Sequence, residues 1–118
     1  MGANRPGYAY MWEFLVRPER AREFEGAYGP NGPWVQLFRR GHGYVRTELH
    51  RDRRQAHRYV TIDYWESVEA WEAFRAAESA AFEAVDARCE ELTLEEREIG
   101  TFESLGLRGG PLRDGEHL

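Results

Sequence analysis

Aromatic side chains are the residues with the greatest chemical potential in this chain of 118 residues, which has four tryptophans, six tyrosines and six phenylalanines. Rings gathered between a sheet and its helices can form a pocket for a flat hydrophobic ligand. The same rings are also the material of an ordinary hydrophobic core, which is the simpler interpretation of any single one. The positions that could line a ligand pocket are Tyr10, Trp12, Trp34, Phe38, Trp71 and Phe74.

Histidine is the side chain that most readily exchanges protons near neutral pH. His42 lies between Gly41 and Gly43, where a loop residue could reach a pocket, although an exposed turn histidine is the alternative. His50 and His57 could lie near each other at the end of a hairpin and, with Glu48, loosely suggest a metal site of two histidines and one carboxylate. A hairpin tip is open to solvent, so we expect no metal there.

The charge composition excludes several classes of protein. The net charge of −5 argues against nucleic acid as the main partner, and a solvated loop explains the hairpin arginines 51, 53, 54 and 58 better than RNA binding does. All 16 basic residues are arginine, so Schiff-base and pyridoxal phosphate chemistry is ruled out. The single cysteine, Cys89, falls on the apolar face of a predicted helix, so we expect a buried thiol. No membrane-spanning run or signal peptide is seen, so we expect a cytoplasmic protein.

The elements that must position these residues follow from hydrophobic periodicity. Alternating β-branched and aromatic residues predict strands, and apolar residues at helical spacing after Ser67, a good N-cap, predict a long helix. Thr93 and Glu96 have the spacing of a capping box and predict one more helical turn. The predicted strands are 8–16, 44–50, 57–65 and 98–104, and the predicted helices are 18–28, 34–40 and 68–92.

This β-α-β-β-α-β order predicts an α+β, ferredoxin-like antiparallel sheet with helices on one face. We expect a flexible N-terminus over residues 1–7, one domain over 8–104 and a mobile tail over 105–118, which is rich in glycine and charge.

The faces of the sheet depend on the register of the hairpin. With His50 opposite His57, the helix-covered face would hold Val45, Thr47, Leu49, Val60, Ile62 and Tyr64. The opposite face then has apolar residues among its charges and needs a second cover, most simply another copy of the chain. The residues expected on this dimer face are Glu13, Arg46, Glu48, Asp63 and Trp65.

The chain resembles the antibiotic biosynthesis monooxygenase (ABM) superfamily of dimeric α/β barrels. The segments that carry the resemblance are YMWEFLVRPERAREFEGAYGPNGPW, LFRRGHGYVRTEL and YVTIDYWESVEAWEAF, which cover most of residues 8–92. The resemblance implies a homodimer with a cavity between sheet and helices in each subunit. Some members oxidise aromatic polyketides with O₂ and no metal or flavin, others degrade haem, and many have no assigned activity.

Haem-degrading relatives use an asparagine, a tryptophan and a histidine at positions that correspond to Trp12, Phe74 and Ala84 here, so that scheme of ligation is not expected. The resemblance implies a cofactor-independent monooxygenase acting on a small aromatic or polyketide-like substrate. That chemistry needs a base, and the position of His42 in its loop makes it the candidate catalytic residue. The alternatives are a dimeric barrel that binds a small hydrophobic ligand without catalysis and a protein that handles haem.

Overall fold

A four-stranded antiparallel sheet, with strand order β2-β3-β1-β4, forms the frame of the protein in a computed structural model that describes residues 5–106. The strands are β1 (Tyr8–Val16), β2 (Tyr44–Arg51), β3 (Arg58–Trp65) and β4 (Thr93–Glu103), and the helices are α1 (Ala21–Tyr28), α2 (Pro33–Phe38), α3 (Val68–Ala77) and α4 (Ser79–Cys89). Short 3₁₀ turns, Pro18–Arg20 and Glu90–Leu92, precede α1 and β4. The predicted ferredoxin-like fold is confirmed. The ends of the chain, for which we predict flexibility, lie largely outside the described residues.

The last helical segment differs from the sequence prediction at two places. Glu78, with φ −114° and ψ 27°, leaves helical geometry and divides the predicted long helix into α3 and α4. The predicted helical turn at Thr93 is wrong, because Thr93 and Glu96 pair with Val16 and Phe14 and therefore begin β4. Their side chains still interact, since the Thr93 hydroxyl donates to the Glu96 carboxylate over 3.0 Å. The two side chains therefore do contact each other, but the backbone groups that a helix would need are used in pairing with β1.

The register of the β2–β3 hairpin also differs from the prediction. His50 lies opposite Val60 rather than His57, a shift of three residues. The turn sets this register: the Asp52 side chain accepts hydrogen bonds from the backbone N–H groups of Arg54 and Gln55, over 2.7 and 3.0 Å. The backbone N–H of Asp52 then donates to the carbonyl of Arg58. Because side chains alternate along a strand, an odd shift moves every β3 side chain to the other face.

The expected faces of β3 are therefore wrong, including those of two residues assigned to the dimer face. Asp63 and Trp65 point toward the helices, and Trp65 has no exposed surface at all. Val60, Ile62 and Tyr64 instead lie on the outer face, beside Glu48 and other β2 residues. The expectations for β1 and β2 fit the structure better, since Glu13, Arg46 and Glu48 do lie on the outer face.

The core fills the space between the inner sheet face and the helices. Trp65 packs edge-on against Phe38 and Trp71, and tilted against Phe74 at a ring distance of 5.0 Å. Gly41 allows this packing, because a Cβ there would come within 2.8 Å of the Trp65 ring. Gly43 adopts φ +94°, a conformation that favours glycine, where the chain enters β2.

The outer sheet face has no helix over it in residues 5–106. It carries an ion-pair cluster in which Glu13 receives hydrogen bonds from Arg58 and Arg97, while Arg58 also bonds Asp52. Apolar side chains surround this cluster, and Phe102 at the end of β4 is 46% exposed. The half-buried apolar residues of this face are Met11, Leu15, Val60, Ile62 and Tyr64.

Candidate functional site

A cavity of about 210 Å³ lies between the inner sheet face and the helices. Its sheet side comes from all four strands, and its roof comes from all four helices. Most of the lining is aromatic, and the polar groups are two threonines and three carboxylates. The lining residues are Tyr10, Trp12, Phe14, Tyr28, Trp34, Phe38, Thr47, Thr61, Asp63, Trp71, Phe82, Asp86 and Glu96.

Five of the six aromatic residues expected in a pocket line this cavity. The exception is Phe74, which is 3% exposed and lies behind the lining, packed against Trp65 and Phe38. It is a core residue, because its position on α3 points it at Trp65 rather than at the cavity. The sequence pattern places Trp71 and Phe74 on one helix face but does not show which of them reaches past the core.

Several pairs of aromatic rings in the cavity wall meet edge to face. Tyr10 and Trp71 meet at a ring distance of 5.1 Å and an interplanar angle of 73°. Trp34 and Phe82 meet at 4.9 Å and 69°. Edge-to-face contacts of this kind are favourable beyond the area that they bury. Rings from β1, α2, α3 and α4 therefore enclose the cavity as one interlocked set.

Asp63 is the acid in the deepest part of this lining. It is 8% exposed, and the Thr47 hydroxyl donates to its carboxylate over 2.7 Å. The Tyr44 hydroxyl lies 2.8 Å from the Thr47 oxygen, so Tyr44 donates to Thr47 when Thr47 donates to Asp63. Burial raises the pKa of Asp63 to about 7, and the Thr47 hydrogen bond partly opposes this rise. At neutral pH this carboxyl can therefore both accept and release a proton.

The sequence prediction missed Asp63 as a cavity residue because of the register error. A usable signal was present, since Thr61, Asp63 and Trp65 share one face of β3, and Trp65 has the largest apolar side chain on either face of that strand. Assigning the large Trp65 ring to the buried face of β3 also assigns Asp63 to that face, because the two residues are two positions apart on the strand.

Two further carboxylates, Asp86 on α4 and Glu96 on β4, line the exposed end of the cavity. Burial raises the pKa of Glu96, the Thr93 hydrogen bond opposes this, and the negative charges of Asp86 and Glu90 raise it further. Burial also raises the pKa of Tyr10. The cavity thus has one buried acid at its closed end and two acids at its mouth.

The three histidines within residues 5–106 lie away from the cavity. His42 is exposed in the turn before β2 and does not line the cavity, so the structure gives no support for it as the catalytic base. His50 is exposed and lies 3.2 Å from Glu48 on the outer face. Its ring is not joined there by His57, because the register pairs His50 with Val60. Among residues 5–106, no group of three or more His, Cys, Asp or Glu side chains is arranged to hold a metal ion.

Cys89 and Trp34 are two further buried side chains of the interior. Cys89 is buried, and burial raises the pKa of its thiol, which makes it a poor nucleophile. The indole N–H of Trp34 is buried with no hydrogen-bond partner in the described part of the chain.

Within residues 5–106, none of the helices combines the length and the apolar character that a membrane-spanning helix needs.

The sequence profile of the antibiotic biosynthesis monooxygenase family matches residues 8–87, which include β1 to β3 and most of the helical layer. The chain belongs to the antibiotic biosynthesis monooxygenase family. No curated protein matches this ABM-family chain closely enough to count as a relative.

Solved structures share the fold of the ABM-family chain at low sequence identity. SnoaB, a cofactor-independent oxygenase from Streptomyces nogalater, is 23% identical with a TM-score of 0.64, over 95% of this chain and 100% of SnoaB. PA3566 from Pseudomonas aeruginosa is 19% identical with a TM-score of 0.61, over 89% of this chain and 100% of that one. A dimeric ferredoxin-like protein from an uncultured marine organism is 8% identical with a TM-score of 0.65, over 91% and 95%.

Proposed function

We propose that this protein is a cofactor-independent monooxygenase that oxidises a small hydroxylated aromatic compound in the cavity around Asp63. The observation that carries the proposal is a buried carboxyl group, with a pKa of about 7, in the wall of an aromatic cavity. Membership of the ABM family and the shared fold with the oxygenase SnoaB support the reaction class. A base near neutral pH is what deprotonation of a phenol requires.

The reaction needs no electron donor beyond the substrate. Asp63 accepts the proton of the ring hydroxyl, and the electron-rich ring then reacts with O₂ at a ring carbon that carries hydrogen. That C–H bond breaks, one oxygen atom becomes a new carbonyl oxygen, and the other leaves as water. A phenol and O₂ thus give a quinone and water, with all four electrons coming from the ring.

The size of the cavity favours a substrate with one or two rings. An apolar cavity of about 150 Å³ holds a benzene ring, and drug-sized ligands occupy about 300–1,000 Å³. At about 210 Å³, this cavity lies between the two. It is too small for haem, and no histidine of the described chain lines it.

We include a homodimer in the proposal, formed through the outer sheet face. The half-buried apolar residues of that face surround the Glu13–Arg58 ion pair, and no helix in residues 5–106 covers them. A second copy would cover both copies of the face at once. The fold shared with a dimeric ferredoxin-like protein supports this assembly.

The experiment measures O₂ consumption and quinone absorbance with 1-naphthol, phenol and the three-ring 1-anthrol. We expect turnover of the one- and two-ring compounds and little of 1-anthrol. Asp63→Asn keeps the shape and the Thr47 hydrogen bond but removes the base, so the rate should fall at least 100-fold. Glu83→Gln, an exposed change on α4, is the matched control and should leave the rate unchanged.

Two results would contradict the proposal. Turnover by Asp63→Asn at the wild-type rate would remove Asp63 from the chemistry. Binding of 1-naphthol with no O₂ consumption by any compound would instead favour a binding protein without catalysis.

A further inference from the structure

The charges along the cavity are of one sign. Asp63, Asp86 and Glu96 line it, and no arginine or histidine is among the lining residues of the described chain. Arg75 lies behind this lining, with its guanidinium over the Phe82 ring, 3.9 Å from the ring centre. Burial raises the pKa of Tyr10, and the positive charge of Arg75 lowers it in part. The cavity is therefore acidic at both ends and aromatic between them.

Aromatic walls and carboxylates together suit a cation. The face of a tryptophan, tyrosine or phenylalanine ring attracts a positive charge, most strongly where water is excluded. The contact between Arg75 and Phe82 shows that one ring of the lining already accepts a cation. Trp34, in the same wall, has an indole N–H that is buried without a hydrogen-bond partner among the described residues.

Electrostatics at the mouth distinguish a cationic ligand from a neutral one. When Asp63 accepts the proton of a phenol, the negative charge moves from the carboxylate to the ring oxygen, so the net charge of the cavity does not change. Asp86 and Glu96 stay at the mouth, where they attract a positive charge on the ligand. A cationic group on the substrate would meet both carboxylates there.

We propose that the natural substrate class is a hydroxylated arene with a protonated amine on a short side chain, held with its hydroxyl at Asp63 and its ammonium group at Asp86 and Glu96. This inference rests on the proposed function, in that it takes the cavity as the substrate site. It adds the charge of the substrate and its direction of binding.

The two ends of the cavity are far enough apart to hold two different groups. Asp63 lies opposite Tyr10 across β1–β3, and Glu96 lies opposite Phe14 across β1–β4. Tyr10 and Phe14 are four residues apart on β1, which corresponds to about 13 Å along an extended strand. β3 and β4 lie on opposite sides of β1, which adds a separation of about 9.5 Å across the sheet. Asp63 is buried and the other two acids are exposed, so the ammonium group would lie at the mouth.

Calorimetric titration with three matched phenols tests the inference. Tyramine carries an ammonium group, 4-propylphenol carries a methyl group in its place, and 3-(4-hydroxyphenyl)propanoate carries a carboxylate. We expect tyramine to bind about tenfold more tightly than 4-propylphenol, and the carboxylate to bind more weakly than either. The preference should shrink at high salt, because Asp86 and Glu96 are exposed.

Variants of Asp86 and Glu96 test whether these two carboxylates cause the preference for tyramine over 4-propylphenol. In Asp86→Asn with Glu96→Gln, tyramine and 4-propylphenol should bind within about twofold of each other. Glu69→Gln with Glu83→Gln removes the same charge from exposed helix positions and should keep the preference. If the double cavity variant does not fold, Asp86→Asn alone, on the helix surface, should still reduce the preference at least threefold.

The outcomes separate this inference from the proposed function. A preference for tyramine that depends on Asp86 and Glu96, without O₂ consumption by any phenol, supports the cationic ligand and contradicts the oxygenase. Turnover of 1-naphthol that requires Asp63, with 4-propylphenol bound as tightly as tyramine, supports the oxygenase and overturns the cationic substrate. Equal preference in wild type and in the cavity variants would also overturn it.

Discussion

Asp63 is the residue on which the proposed chemistry depends, and its burial should also be visible in the stability of the protein. Because burial raises the pKa of Asp63 from 3.8 to about 7, the folded protein holds this proton at pH values where the unfolded chain has lost it. The contribution of Asp63 to the free energy of unfolding therefore falls as pH rises from about 4 to about 7 and is constant above.

Asp63→Asn removes this dependence, because asparagine does not titrate. We expect the variant to gain stability relative to wild type as pH rises, reaching about 1–3 kcal/mol at pH 8. Urea denaturation of both proteins between pH 4 and pH 8 measures the difference. A difference in stability that does not change with pH would contradict a raised pKa for Asp63.

Thr47 on β2 donates the hydrogen bond that acts on the Asp63 carboxylate. Thr47→Val keeps the side-chain shape but removes the donor that stabilises the Asp63 carboxylate, so the pKa of Asp63 should rise further. The pH profile of kcat/KM for 1-naphthol should then move upward by about one unit. An unchanged profile with an unchanged rate would show that the hydrogen bond does not act on the reacting group.

At the scale of elements, the sequence predicted the order of strands and helices better than their register. On β1 the alternation is unambiguous, because Glu13 is flanked by aromatic residues that belong to the other face. On β3 both faces carry large apolar residues, with Val60 and Ile62 on one and Tyr59 and Trp65 on the other. Hydrophobic pattern alone cannot choose between such faces, so the turn at Asp52 decides, and its hydrogen bonds are not evident from spacing.

The candidate site was predicted from the sequence only in its aromatic part. The aromatic lining followed from strand and helix periodicity, whereas Asp63, Asp86 and Glu96 depended on register, helix position and the start of β4. Glu96 could not be placed because Thr93 and Glu96 also satisfy the pattern of a helix start. Local signals of this kind are overridden when a strand is available to pair with.

The start of α3 gives a prediction at this scale. The Ser67 hydroxyl accepts a hydrogen bond from the backbone N–H of Ala70 over 3.1 Å, and this contact caps the helix. Ser67→Ala should lower the free energy of unfolding by about 1 kcal/mol in urea denaturation. Ser79→Ala is the matched control, because no side chain caps the start of α4, and its effect should be below about 0.5 kcal/mol. Equal losses in the two variants would contradict the capping role.

At the scale of the whole molecule, the uncovered outer face should join two copies. Ile62 lies near the centre of this face, between Met11 and Glu48 on the neighbouring strands. Ile62→Arg places a charge in the proposed interface, while Glu48 beside it can partner the arginine in a single chain.

Light scattering at micromolar concentration should give the mass of two chains for wild type and of one chain for Ile62→Arg. Ala76→Arg, at an exposed position of α3, should remain a dimer. Circular dichroism checks that both variants are folded. A wild-type mass of one chain would contradict the proposed dimer.

The proposed enzyme requires that a hydroxylated aromatic ring enter the cavity and reach Asp63. The crystal structure of the protein with 1-naphthol tests this most directly. We predict ordered density between Trp12 and Trp71, with the naphthol oxygen within hydrogen-bond distance of the Asp63 carboxylate. A cavity closed by its own side chains, or a naphthol bound only outside the cavity, would contradict the proposed enzymatic function.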